Sequence, residues 1–201
     1  MNTIDYYNEN AKNYFDKTVN TDMQKQYDLF LKYVKDNGRI LDFGCGSGRD
    51  SKYFKTLGYK VDAIDGSLEL CKLAREYTGI DVKCMDFKDF NEKSIYDGVW
   101  ACSTLLHIKR SELLDLLKRI RLSLKDDGCL YASFLNNDNK EEYKKDGRYF
   151  NDLTNERFEV LANNSEFRVI DHFTNYSNVK SHQEKYGSTG ISWSSYILKR
   201  R

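Results

Sequence analysis

The chain has 201 residues, 32 of them Lys or Arg and 31 Asp or Glu, for a net charge of +1. That balance supplies no long-range field to gather nucleic acid or an anionic membrane, and no apolar run approaches the ~20 residues of a membrane span. Hydrophobic residues at 40% and aromatic residues at 14% indicate a globular chain with one substantial core.

Met1-Asn2-Thr3-Ile4-Asp5-Tyr6-Tyr7 lacks the charged and apolar regions of a signal peptide. Residues 4–36 read as one or two helices, the first aromatic at Tyr6, Tyr7, Tyr14 and Phe15. Thr21-Asp22 is a cap for the second, which carries Tyr27, Phe30, Leu31 and Val34 on one face and Gly38 beyond its end. A buried strand over 39–43 runs into the glycine turn Gly44-Cys45-Gly46-Ser47-Gly48-Arg49, which opens a helix over 48–57. Strand 60–64 ends at Asp65, and a helix follows over 67–77. Strand 81–84 leads to Met85-Asp86-Phe87. Strand 96–102 leads into Ser103-Thr104-Leu105-Leu106-His107. A helix over 111–125 places Leu113, Leu114, Leu117, Ile120 and Leu124 on one face; Asp127-Gly128 ends it, and 129–134 is a fifth strand. Residues 136–142 form a polar loop. A helix runs from Leu153-Thr154 to about Ala162, and 167–173 and 191–198 are closing strands. Strands alternating with amphipathic helices predict a parallel α/β sheet.

The glycine turn departs from the dinucleotide fingerprint G-x-G-x-x-G. Its third glycine, Gly48, comes one residue early and Arg49 follows. Asp42 stands at the mouth of the turn, where its charge repels a pyrophosphate and suits a cation such as an amino acid's ammonium. The pattern resembles motif I of the class I S-adenosylmethionine-dependent methyltransferases. Three further motifs follow in order: Asp65 where the family takes the ribose hydroxyls, Asp86 where it faces the adenine amino group, and Tyr96 to Cys102 as the fourth motif. Met85 or Phe87 flanks the ring. The resemblance covers roughly 38–135. Arg49-Asp50-Ser51 is similar to the G-R-N/D-S run of tellurite-resistance enzymes and other bacterial small-molecule methyltransferases. Arg49 either binds the methionyl carboxylate or is a helix-surface arginine.

This resemblance implies an α/β, Rossmann-like fold: a seven-stranded, mostly parallel sheet with helices on both faces and a C-terminal antiparallel hairpin. Residues 1–201 then form a single domain, with 1–37 a helical cap, 38–135 the cofactor core and 136–201 the acceptor side. The implied cofactor is S-adenosyl-L-methionine. Its binding set is Asp42, Gly44, Cys45, Gly46, Ser47, Gly48 and Arg49, then Asp65, Gly66 and Ser67, then Asp86, Phe87 and Cys102.

The sulfonium already activates the methyl group, so the protein must align the acceptor, exclude water and manage at most one proton. His107 follows the fourth strand. A neutral imidazole there can accept that proton; the alternative is a helix-start histidine that only packs. Tyr6, Tyr7 and Tyr14 are lid candidates, as are Arg148, Tyr149 and Phe150, whose rings can clamp a flat or cationic acceptor. Lys180, His182 and Lys185 lie in the connection between the closing strands, where they either border the acceptor or are solvated.

Five cysteines (Cys45, Cys71, Cys84, Cys102 and Cys129) show no metal or disulfide spacing, so a reduced cytoplasmic setting without zinc or any other metal is expected. The chain has no proline, which excludes the D/N-P-P-Y motif of amino-methylating DNA enzymes and the Pro-Cys nucleophile of cytosine-C5 enzymes. The expected acceptor is a small molecule methylated at O, N, S or a metalloid, with no specific nucleic acid, no membrane, and a monomer or weak homodimer. The alternatives are a tRNA wobble-base methyltransferase and a non-catalytic S-adenosylmethionine binder.

Overall fold

The computed structural model describes residues 2–136, 142–175 and 192–201. Strands β1 (Arg39–Phe43), β2 (Lys60–Asp65), β3 (Lys83–Cys84), β4 (Tyr96–Ala101) and β5 (Leu124–Asn136) are joined by β8 (Phe167–Asn175) and β9 (Ser192–Arg200). They form one seven-stranded sheet in the order β3-β2-β1-β4-β5-β9-β8. The first five pair in parallel, and β9 runs antiparallel to both β5 and β8. The order reverses between β1 and β4, so a crevice opens at the carboxyl ends of those two strands.

Strand periodicity divides the core. Ile40, Trp100 and Tyr131 point to one face, where they meet Tyr27 and Phe30 of α3 (Gln24–Leu31) and Phe54 of α4 (Arg49–Thr56). Leu41, Val99, Leu130 and Ala132 point to the other. There they meet the leucines of α6 (Arg110–Ser123) and Phe158 of α7 (Asn155–Asn164). A third cluster packs Cys71 and Ala74 of α5 (Leu68–Thr78) on Ala63 and Val82. Burial on both faces is why β1 reads as a nearly continuous apolar run.

Three features depart from the sequence reading. The N-terminal segment forms α1 (Thr3–Glu9), α2 (Ala11–Thr18) and α3, one helix more than the upper expectation. Asn10 separates the first two, its side-chain amide donating to the Tyr6 carbonyl at 2.9 Å. Helix α6 stops at Ser123 because Leu124 pairs with Tyr96 as the start of β5. The end of the stretch read as a polar loop and the residues read as a lid belong to an antiparallel pair, β6 (Glu142–Lys145) and β7 (Arg148–Asn151), with Tyr143 stacked on Phe150 at 5.2 Å. Arg110 fastens this pair to the start of α6. Its backbone N–H donates to Glu142 and its guanidinium to Asn151 and the Asp152 carbonyl. Residues 137–141 of the polar loop, and Lys180, His182, Lys185 and Ile191, lie outside the described residues.

Candidate active site

The glycine turn after β1 is built from left-handed backbone at Gly44, Gly46 and Gly48, with φ of 81°, 53° and 77°. The three glycines serve different ends. A Cβ at Gly48 would sit 2.7 Å from Thr78 Cγ2, so that residue brings α4 against α5. Gly44 and Gly46 instead face a cavity of about 410 Å³, and a Cβ on Gly46 would lie 3.1 Å from the ring of Tyr14.

Asp65, at the tip of β2, holds the turn in place. Its carboxylate accepts from the backbone N–H of Gly46 at 2.9 Å and of Ser67 at 2.8 Å. Burial pushes its pKa up, against these backbone donors and that of Gly66. Ser67 caps α5 and donates to Asn8 of α1 at 2.8 Å. Asp86 caps a single turn over 87–89, and the Phe87 ring packs 4.4 Å from that of Phe43. Asp65, Gly66, Ser67, Asp86, Phe87 and Cys102 all line the cavity. Burial raises the Cys102 thiol to about 12, which keeps it protonated.

Several expected cofactor residues stand behind the wall instead. Asp42 is buried and accepts from the Ser51 hydroxyl at 2.5 Å. Burial and the neighbouring Asp50 carboxylate raise its pKa well above the ordinary carboxylate range. Arg49 closes two hydrogen bonds on Asp50, at 2.6 and 2.9 Å. Asp50 also accepts from Tyr27 at 2.5 Å and Trp100 at 2.8 Å. Arg49 therefore braces the start of α4, and its charge is matched before any ligand arrives. Cys45 and Ser47 are buried within the turn.

The opposite side of the cavity is walled by α1 and the β6–β7 pair. His107 Nε2 lies 2.9 Å from the Tyr7 hydroxyl, and Nδ1 lies 2.7 Å from the Tyr149 carbonyl. Thr3 accepts from the Tyr149 N–H at 3.0 Å. Arg148 stacks 4.4 Å over the Tyr6 ring and 5.1 Å from that of Phe150. Tyr7, Tyr14, His107 and Tyr149 line the cavity; Tyr6, Arg148 and Phe150 support it from behind. Burial drives the His107 pKa down to about 4, so the imidazole is neutral near pH 7. Burial raises Tyr14.

Sequence reasoning missed Thr3, Ile4 and Lys144, which also line the cavity. Their only signal is proximity in the chain to the aromatic lid residues. Among the described lining residues, the glycine-turn side carries two carboxylates, Asp65 and Asp86, while Lys109, its ion-pair partner Glu112 and Lys144 stand on the α6 and β6 side. This set repels a pyrophosphate at the turn and suits a ligand rich in hydrogen-bond donors with a positive tail.

The methyltransferase domain family matches residues 15–179. The chain belongs to that family. It is an S-adenosylmethionine-dependent methyltransferase. An uncharacterized methyltransferase of Staphylococcus carnosus is 29% identical over 175 residues, covering 83% of this chain and 81% of its own. A ubiquinone biosynthesis O-methyltransferase of Xanthomonas campestris is 31% identical over 105 residues, 49% of this methyltransferase and 43% of that one. Less than half of that relative is therefore spanned. The fold is shared with the 1,6-didemethyltoxoflavin N1-methyltransferase of Burkholderia thailandensis at a TM-score of 0.77 and 19% identity, covering 98% of this chain and 84% of that one. The carboxylate acceptors described above fit S-adenosylmethionine, whose ribose hydroxyls, adenine amino group and ammonium are all hydrogen-bond donors.

Proposed function

We propose that this methyltransferase alkylates a small molecule inside this partly roofed cavity. The observation that carries this reading is the roof. Helix α1 is hydrogen-bonded to the start of α5 through Asn8 and to β7 through Thr3, so both sides of the cavity are roofed by the same helix. The cavity volume of about 410 Å³ lies within the ~300–1,000 Å³ of small-molecule sites. The Burkholderia enzyme was crystallised with 1,6-didemethyltoxoflavin, a small heterocycle, and the Xanthomonas relative serves ubiquinone biosynthesis. The net charge of +1 gives an RNA no reason to dock.

When bound, S-adenosylmethionine supplies an electrophilic methyl group. The chain supplies the surroundings. Asp65 would take the ribose hydroxyls, and Asp86 with Phe87 the adenine. Gly44 and Gly46 admit the chain of the amino acid close to backbone. Asp42 and Arg49 act from behind the turn by fixing Ser51 and Asp50. Residues 38–135 are in this reading the cofactor core of one domain, capped by 1–37 and completed by 136–201. Among the described residues no helix is long and apolar enough to cross a membrane, and no cluster of metal-binding side chains occurs. In this reading the enzyme is cytoplasmic, uses no metal and acts as a monomer or weak dimer.

The test is methyl-labelled S-adenosylmethionine given to the protein with separate small-molecule, RNA and protein fractions of a cell extract. Label is expected in the small-molecule fraction. Label confined to RNA or protein would overturn the proposal.

A further inference from the structure

His107 uses both ring nitrogens at once, and the chemistry of its partners fixes where each proton sits. The Tyr149 carbonyl at Nδ1 can only accept, so Nδ1 carries the ring hydrogen. The imidazole is neutral, which leaves Nε2 bare, so the Tyr7 hydroxyl donates to it across 2.9 Å. The polarity therefore runs one way: Tyr7 to His107, His107 to Tyr149. A phenol oxygen has one hydrogen and two lone pairs. At Tyr7 the hydrogen is committed to His107, and what remains is acceptor capacity on a residue of the cavity wall.

We propose that Tyr7 is a catalytic residue that accepts a hydrogen bond from the nucleophile's own X–H group, with His107 the positioning residue that fixes this polarity. The acceptors are then neutral hydroxyls, amines or thiols that still bear a hydrogen. Thioethers, tertiary amines and bare metalloid anions are poor fits, because they offer Tyr7 no hydrogen. This rests on the small-molecule reading above and narrows it. The balance is simple: the acceptor gains a methyl cation, the C–S bonding pair stays on sulfur, and the X–H proton goes to Tyr7 Oη as the Tyr7 proton moves to His107 Nε2. Nδ1–H stays on the Tyr149 carbonyl throughout. A buried imidazolium is a strong acid, so His107 passes its proton on to water instead of storing it.

A purely structural role would use the same contacts to lock α1 to β7. Tyr7→Phe separates the two roles, because it removes one oxygen and keeps the ring edges against Tyr6, Tyr14 and His107. The first readout needs no acceptor. The chain has three histidines, so nitrogen-15 spectra of histidine-labelled protein are simple, with His107→Gln for assignment. At pH 7 the Nδ1–H tautomer with a bare, hydrogen-bonded Nε2 is expected, and Tyr7→Phe should shift the Nε2 signal. An Nε2–H tautomer overturns the inference.

The second readout is turnover of labelled S-adenosylmethionine on a panel of catechol, aniline and thiophenol against dimethyl sulfide and trimethylamine, beside the extract fraction that takes label. Tyr7→Phe should lower kcat on the X–H acceptors by about 10²–10⁴-fold while S-adenosylhomocysteine affinity stays within about threefold. His107→Phe should behave alike, and His107→Gln, which can both accept from Tyr7 and donate to Tyr149, should recover part of the loss. Unchanged kcat in Tyr7→Phe, or preferred methylation of dimethyl sulfide or trimethylamine, overturns it. Failure of the small-molecule reading looks different: the wild type then labels no small molecule at all.

Discussion

Asp65 and His107 face the same cavity but answer to opposite pressures. Asp65 is stripped of water yet receives backbone N–H groups, which stabilise its ionised form against the burial that raises its pKa. For His107 the Tyr149 carbonyl offsets burial only in part, and Arg148 nearby disfavours the positive charge further. Because its folded-state value of about 4 lies below the ordinary 6.5, the unfolded chain takes the proton first. The stability tied to neutral His107 is thus full above about pH 6.5 and is lost as pH falls towards 4. Urea midpoints between pH 7 and pH 5 should drop more for the wild type than for His107→Phe, which has nothing to titrate there. Equal drops would mean that the imidazole is not held neutral by burial. At this scale the sequence was informative where function lies in a contiguous motif. Asp65, Asp86 and the glycines follow from local spacing. The Tyr7–His107 bond joins residues 100 positions apart, and Arg49 reads as a free cation until the fold places Asp50 under its guanidinium.

Elements in the parallel core were legible because each buries a clear stripe or run. The β6–β7 pair was not. Glu142-Tyr143-Lys144-Lys145 has one aromatic among polar residues, and its rings find partners only in three dimensions. The end of α6 was misread for the opposite reason. Leu124 continues the helical apolar stripe, but its pairing with Tyr96 draws it into β5. Helix α3 seats on β4 through a close approach at Gly98, where a Cβ would stand 2.6 Å from the Phe30 ring and 2.9 Å from Val34. Gly98→Ala should therefore cost about 1–3 kcal/mol by overpacking. Denaturant unfolding with an unchanged midpoint would show that α3 can shift without loss. Rigid seating matters to the site, since Tyr27 on α3 helps hold Asp50 and so Arg49.

As a whole molecule, the chain combines non-local parallel pairing with an absence of proline. Refolding should lack any phase of tens of seconds that a prolyl isomerase accelerates; such a phase would contradict the composition argument. The sheet also explains why Asp65 and His107 share one cavity. The carboxyl ends of β1, β2 and β4 meet there, with Asp65 at the end of β2 and His107 just beyond β4. The central claim is that this crevice binds S-adenosylmethionine through Asp65. Calorimetric titration of S-adenosylhomocysteine into the wild type and Asp65→Asn tests it most directly. One ligand per chain is expected in the wild type, with affinity weaker by about 1–3 kcal/mol in the variant. No binding to the wild type, or equal affinity in both proteins, would contradict it.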